Sequence, residues 1–201
     1  MVISFALLAR AEASLVFTLR PADGNDTISG GGSLDTIFGD AGNDTLNGDA
    51  AADEIHGGPD NDIINGGPGQ DQVFGFNGND TITDFNAGNS GTLNDGDSTN
   101  NDFINLSGYY DHISELYADQ ADDGFLNQSN ATDTRGQSTD YSDNTQFSGG
   151  SLRMQGASAD SSSFTAENTG VACFASRTLI ATPRGEVPVE ALRCGDLILT
   201  L

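Results

Sequence analysis

At 201 residues the chain has room for one or two domains. Thirty acidic residues against seven arginines, with no lysine, give a net charge of −23, which excludes a basic face able to meet nucleic-acid phosphates. Cys173 and Cys194 are the only cysteines and both fall near the C-terminus, so no disulfide framework crosses the body of the protein. No stretch is long and apolar enough to span a membrane as a helix.

Residues 1–20 open with an apolar run over 2–9, followed by Arg10. A secretory leader would need a positive n-region and a longer apolar stretch. The run therefore reads as a lead-in strand covering one end of the fold, or as the start of a truncated gene product, ahead of a signal peptide cleaved near Ala9-Arg10-Ala11.

From Asp26 an aspartate returns every nine residues: Asp26, Asp35, Asp44, Asp53, Asp62, Asp71 and Asp80. Two residues after each stands an aliphatic: Ile28, Ile37, Leu46, Ile55, Ile64, Val73 and Ile82. Glycines fill most of the gaps. A fixed short period signals a stacked architecture. Each repeat reads as a glycine-rich polar turn and a very short strand with one inward aliphatic, as in Thr45-Leu46-Asn47. One such residue cannot build a core, but stacked turns can. The same stacking arranges the aspartates in columns along the outside. Columns of carboxylates repel and call for a cation between them. Carboxylates with backbone carbonyls make an all-oxygen site, which suits calcium.

Thirteen of the acids lie within residues 21–88, with no arginine or lysine among them. Such a segment stays expanded unless its charge is compensated. A cation that binds only the folded form is then the folding trigger. Calcium modules with dissociation constants of ~10⁻⁴–10⁻³ M operate outside cells.

Residues 21–88 resemble the RTX, or haemolysin-type, calcium-binding repeat with consensus GGxGxDxUx; the nearest matches are GGPGQDQVF at 66–74 and GDAGNDTLN at 39–47. The resemblance implies an all-β parallel β-roll with two nonapeptides per turn and calcium ions between turns along both edges. By that resemblance the ligands are the seven aspartates with the turn glycines Gly24, Gly39, Gly42, Gly57, Gly66, Gly75 and Gly78. It also implies a bacterial protein exported through a type I secretion system, without an N-terminal signal. An eighteen-residue period lies beneath the nine. Asn25-Asp26, Asn43-Asp44, Asn61-Asp62 and Asn79-Asp80 alternate with Leu34-Asp35, Ala52-Asp53 and Gln70-Asp71. The first edge is expected to bind calcium more tightly than the second. Sites formed between repeats two apart would number five, three of them on the Asn-Asp edge.

Thr83-Asp84-Phe85-Asn86 resembles the closing strand that follows such arrays. Residues 89–167 read as an irregular α+β connecting region. In it Asp95, Asp97 and Asp102 form an acidic cluster, read as a solvated loop ahead of a further calcium site, before a strand at 103–106. A helix is expected over 111–119, with Asp111 as N-cap, Ile113, Leu116 and Tyr117 on one face, and Gly124 as terminator. His112 reads as an exposed residue at the helix start and His56 as a solitary residue at a variable repeat position. From 126 to 163 the polar chain is punctuated by Phe147, Leu152 and Met154, which suggest short strands.

At Asn168 the character changes. Cys173-Phe174, Thr178-Leu179-Ile180, Thr182-Pro183-Arg184-Gly185 and Gly195-Asp196-Leu197 resemble the opening block of a Hint (Hedgehog/intein) domain, with Cys173 at its first position. That resemblance implies a catalytic Cys173 whose thiolate attacks the Ala172 carbonyl. An amide becomes a thioester, the Cys173 amine leaves, and a second nucleophile then cleaves. The family's histidine in a later T-x-x-H block has no counterpart after Cys173, and Arg177 stands where glycine is more usual, so residues 168–201 are expected to be an incomplete Hint β-segment. A free Cys173 thiol or a Cys173–Cys194 disulfide are the plain alternatives. RTX arrays also accompany toxin, lipase and protease domains. Neither a G-x-S-x-G elbow nor an H-E-x-x-H motif is present here.

Overall fold

The computed structural model describes residues 17–85 and 102–171 apart from 143, 146, 148 and 162, together with the backbone of Ser4–Ala6, Leu179–Thr182 and Gly185–Pro188. In chain order the strands are β1 (Ser4–Ala6), β2 (Phe17–Leu19), β3 (Thr27–Gly31), β4 (Asp35–Phe38), β5 (Thr45–Asp49), β6 (Glu54–Pro59), β7 (Ile63–Asn65), β8 (Gln72–Asn77), β9 (Asn79–Ile82), β10 (Phe103–Ile104), β11 (Ser151–Met154), β12 (Leu179–Thr182) and β13 (Gly185–Pro188). Two helices, α1 (Ile113–Asp123) and α2 (Ala166–Thr169), complete the elements.

The chain winds as a parallel β-roll. One sheet runs β1-β3-β5-β7-β9-β11 and the other β10-β8-β6-β4-β2, every neighbouring pair parallel. Registry follows the eighteen-residue period: Ile28 pairs with Leu46 and Leu46 with Ile64, while Ile37 pairs with Ile55 and Ile55 with Val73. All seven repeat aliphatics are at most 1% exposed. Burying each stabilises by about 1.5–3 kcal/mol.

Three positions face inward in each of the first five repeats: the aspartate, the aliphatic and a glycine two further on, as in Asp44, Leu46 and Gly48. That glycine is required by space. A Cβ at Gly48 would lie 2.5 Å from the Gly66 carbonyl oxygen and 2.7 Å from Asp53 Oδ2. At the next turn position the backbone is left-handed at Gly31, Asp40, Asp49, Gly58 and Gly67, with φ between 63° and 108°. Glycine and aspartate are residues that accept this conformation.

Residues 102–171 form a cap on the roll. β10 adds a strand to one sheet and β11 to the other. Ile104, Leu106, Tyr110, Leu116, Phe147 and Phe164 join the roll's own aliphatics in one core, which gives the stack the terminal closure that solenoids require. Asp119 knits this cap together. Its buried carboxylate accepts from the Tyr110 hydroxyl at 2.5 Å and from the backbone N–H groups of Asn127, Gln128 and Ser129 at 2.8, 2.7 and 3.0 Å.

Several expectations are revised. The strand at 103–106 is confined to Phe103–Ile104. Helix α1 starts later and runs longer than expected, and its N-cap is His112, not Asp111. The Asp111 N–H donates to Glu115 Oε2 at 3.1 Å, so the glutamate reaches back over the helix start and the aspartate side chain is not needed there. Gly124 terminates the helix in the left-handed conformation, as expected. Leu152 and Met154 lie in β11, whereas Phe147 is buried outside any strand. His56 is not solitary: it stacks between Phe38 and Phe74 at centroid distances of 4.6 and 5.0 Å, and its Nε2 meets Glu54 Oε1 at 2.7 Å. Nor is His112 simply exposed, since its ring contacts Ser114 and Arg135.

Candidate metal centre

Each repeat aspartate sits where a turn enters a strand, so the eighteen-residue winding brings alternate aspartates side by side. The first edge carries Asp26, Asp44, Asp62 and Asp80, the second Asp35, Asp53 and Asp71. The columns are not on the outside. All seven side chains are at most 3% exposed. The reason is a ladder of hydrogen bonds. The N–H of each aspartate donates to Oδ1 of the aspartate one turn on, at 2.8–2.9 Å for Asp26 to Asp44, Asp44 to Asp62 and Asp62 to Asp80, and 2.8 Å for Asp35 to Asp53 and Asp53 to Asp71. The carboxylate is thus drawn in under the preceding loop.

Only one oxygen of each carboxylate is used in this way. Oδ2 of Asp35, Asp44, Asp53, Asp62, Asp71 and Asp80 is buried and accepts no hydrogen bond. A buried carboxylate oxygen without a donor costs several kcal/mol unless a cation meets it. The same oxygens converge on backbone carbonyls. The point where a Cβ at Gly30 would stand is 2.9 Å from Asp35 Oδ2 and 2.7 Å from the Gly48 carbonyl oxygen, and at Gly57 it is 2.7 Å from Asp62 Oδ2 and 3.1 Å from the Gly75 oxygen. Among the described residues no three acidic, histidine or cysteine side chains close on one point. An ion here would take carboxylates in pairs and complete its shell with backbone oxygens, the hard-donor set of calcium.

Electrostatics agree with this arrangement. As protein groups alone, burial raises the carboxyls of Asp53 and Asp62 to about 7, against hydrogen bonds from Asp35 and Asp44 that lower them, and the neighbouring aspartates push them further up. Asp71 and Asp80 rise to about 6, and Asp35 and Asp44 also move up, with burial again the largest cause. The segment supplies no lysine or arginine to offset this. Arg20, just outside it, pairs with Asp40 at 2.7 Å in an exposed bridge.

The glycines expected as ligands divide into two sets. Gly39, Gly57 and Gly66 are the inward glycines that leave room for Oδ2 of Asp44, Asp62 and Asp71, and the Gly75 carbonyl oxygen faces the Gly57 position, 3.1 Å from where its Cβ would stand. Gly24, Gly42 and Gly78 shape the first-edge turns, with φ of 136°, 134° and 157°. Sequence reasoning missed Gly30 and Gly48, which do for Asp35 and Asp53 what Gly39 does for Asp44; their nine-residue spacing from Gly39 was the signal. It also missed the asparagine ladder. Oδ1 of Asn25, Asn43 and Asn61 accepts the backbone N–H of Asn43, Asn61 and Asn79 at 3.0, 2.9 and 2.8 Å. Asparagine therefore fastens the first edge from turn to turn, a support the second edge lacks. Asp84 caps the winding by accepting from Gly66 N–H at 3.0 Å and Gly67 N–H at 2.6 Å.

Asp102 overturns the reading of a solvated loop. It is 3% exposed and sits against Asp71. Asp95, Asp97, Cys173 and Cys194 lie outside the described residues. Of the C-terminal segment the structure shows the antiparallel pair β12–β13. No helix among the described residues is long and apolar enough to cross a membrane.

Comparison with known families agrees with the geometry. The family model for the RTX calcium-binding nonapeptide repeat (4 copies) matches residues 22–55 and 47–82, and that for the Hint domain matches residues 172–201. Neither the curated proteins nor the solved structures yield a match. The chain carries a calcium-binding β-roll of RTX nonapeptide repeats over residues 22–82, followed by a Hint-domain match at 172–201.

Proposed function

We propose that this is an exported bacterial protein whose roll folds when it meets extracellular calcium. One observation carries the reading: two columns of buried carboxylates, each with oxygens that no hydrogen bond satisfies, in a segment without lysine or arginine. Within a cell, where calcium is scarce, such columns repel and keep the segment open. Outside, calcium closes them. That contrast suits passage of an unfolded chain through a type I channel. The asparagine ladder favours tighter binding along the first edge. Calorimetric titration with calcium, repeated in excess magnesium, tests the proposal. Uptake in two classes at submillimolar to millimolar calcium, undisturbed by magnesium, supports it. Absence of uptake rejects it, and a single class of equal sites rejects the asymmetry.

A second reading is favoured by the Hint match beginning at residue 172. Here Cys173 forms a thioester with the Ala172 carbonyl, releasing its own amine, and a nucleophile or water then cleaves the chain. Mass spectrometry of the purified protein separates the readings. Cleavage at Ala172–Cys173 that Cys173→Ala abolishes supports processing; an intact mass in both proteins rejects it.

A further inference from the structure

The second column does not stop with the repeats. Beyond Asp71 the period breaks, and the next aspartate to enter the column, Asp102, comes 31 residues later instead of 18. It nevertheless repeats the strand register and the hydrogen-bond pattern of the preceding turns, with one longer bond. The Asp71 N–H donates to Asp102 Oδ1 at 3.4 Å, as Asp53 N–H does to Asp71. The Phe103 N–H donates to the Asp71 carbonyl at 2.7 Å, as Gln72 N–H does to that of Asp53. Ile104 stands in register with Val73 and is fully buried, so Asp102-Phe103-Ile104 reproduces the aspartate-x-aliphatic unit. The first column has no such extension, because Leu152 pairs opposite Asp80 there.

We propose that Asp71 and Asp102 hold a further calcium ion at the end of the second column, outside the matched repeats. The inference rests on the calcium reading of the columns. Asp71 is fully buried and its Oδ2 accepts no hydrogen bond. The Asp84 carboxylate, fixed on the Gly66 and Gly67 N–H groups, adds a second negative charge that bears on Asp71. No basic side chain among the described residues pairs with Asp71 or Asp84. Paired carboxylates offer the hard oxygen donors that calcium takes. Pairs of successive aspartates give three positions on the first edge and two on the second; this one is the sixth. The ion also fastens the cap, because the chain leaving β10 continues to Leu106, whose N–H donates to the Thr169 carbonyl at 2.8 Å, just ahead of residue 172.

Equilibrium dialysis of the full chain against saturating calcium counts the ions. Wild type is expected to hold six, and Asp102→Asn five. Asparagine keeps an oxygen acceptor for the Asp71 N–H while removing the charge and one carboxylate oxygen. Asp122→Asn, on the exposed face of α1, is expected to leave six. A wild-type count of five, or a count unchanged by Asp102→Asn, overturns this site and leaves the roll reading standing. A wild type that holds no calcium overturns both. Should Asp102→Asn fail to fold, amide exchange in wild type decides. Protection of the Phe103 N–H that rises with calcium alongside that of Gln72 supports the site, and protection indifferent to calcium while Gln72 responds rejects it.

Discussion

At the residue scale, the roll depends on which backbone positions tolerate a side chain. Ala51 occupies a turn position of the second edge with φ of 108°, a conformation that costs a residue with a Cβ about 1–3 kcal/mol. The first edge has glycine at the equivalent Gly24, Gly42 and Gly78, and Asp60 in the fifth repeat, at φ of 81°. Ala51→Gly is therefore expected to stabilise the calcium-loaded roll by about 1 kcal/mol in denaturant unfolding. A loss of stability would show that the strain is not there. The aspartates yield a second prediction. The carboxyls of Asp53, Asp62, Asp71 and Asp80 are raised to about 6 to 7 in the fold from about 4 in an open chain. The folded state without calcium thus binds more protons than the open one. Its stability from these groups is fully present below pH ~4 and is lost as the pH rises through 6 to 7. In chelator, β-structure should increase on acidification from about pH 8 to about pH 5. With calcium the dependence reverses, because the ion requires the deprotonated carboxylates. β-structure in chelator that instead falls with acid would contradict this account of the columns.

At the element scale, each repeat strand contributes one aliphatic to the core between the two sheets, so there is little room for relaxation. Ile55 lies midway along its column, fully buried between Ile37 and Val73. Ile55→Ala is expected to cost about 2–5 kcal/mol in calcium, read as a lowered unfolding midpoint; a cost below about 1 kcal/mol would mean that the turns are held by the ions and edges alone. The strands and their register were legible in the sequence because the period is strict. Ile28, Leu46, Ile64 and Ile82 announce their own stacking. The burial of the aspartates was not, since it depends on the carboxylate reaching the N–H of the preceding turn, a contact between residues eighteen apart. Asp102 escaped for the same reason: an insertion hides its phase, and only strand pairing restores it. Asp111 was misplaced because the motif that starts α1 runs backwards, from Glu115 to the Asp111 N–H.

At the scale of the whole molecule, the cap and the roll share one core. Phe85 of the closing segment stacks on Phe164, with centroids 6.0 Å apart, and Val171 is buried immediately ahead of the Hint match. Ordering of the roll therefore reaches the residue before that segment. On the proposed function, the thirty acids against seven arginines make the fold conditional on its cation rather than on apolar burial alone. The most direct measurement is far-UV circular dichroism of the full chain near neutral pH during calcium titration, with magnesium in parallel. A coil spectrum that turns to β-structure with calcium and stays coil with magnesium is the expected result. A spectrum already β in chelator, and unmoved by calcium, would contradict the claim that these columns fold around the ion.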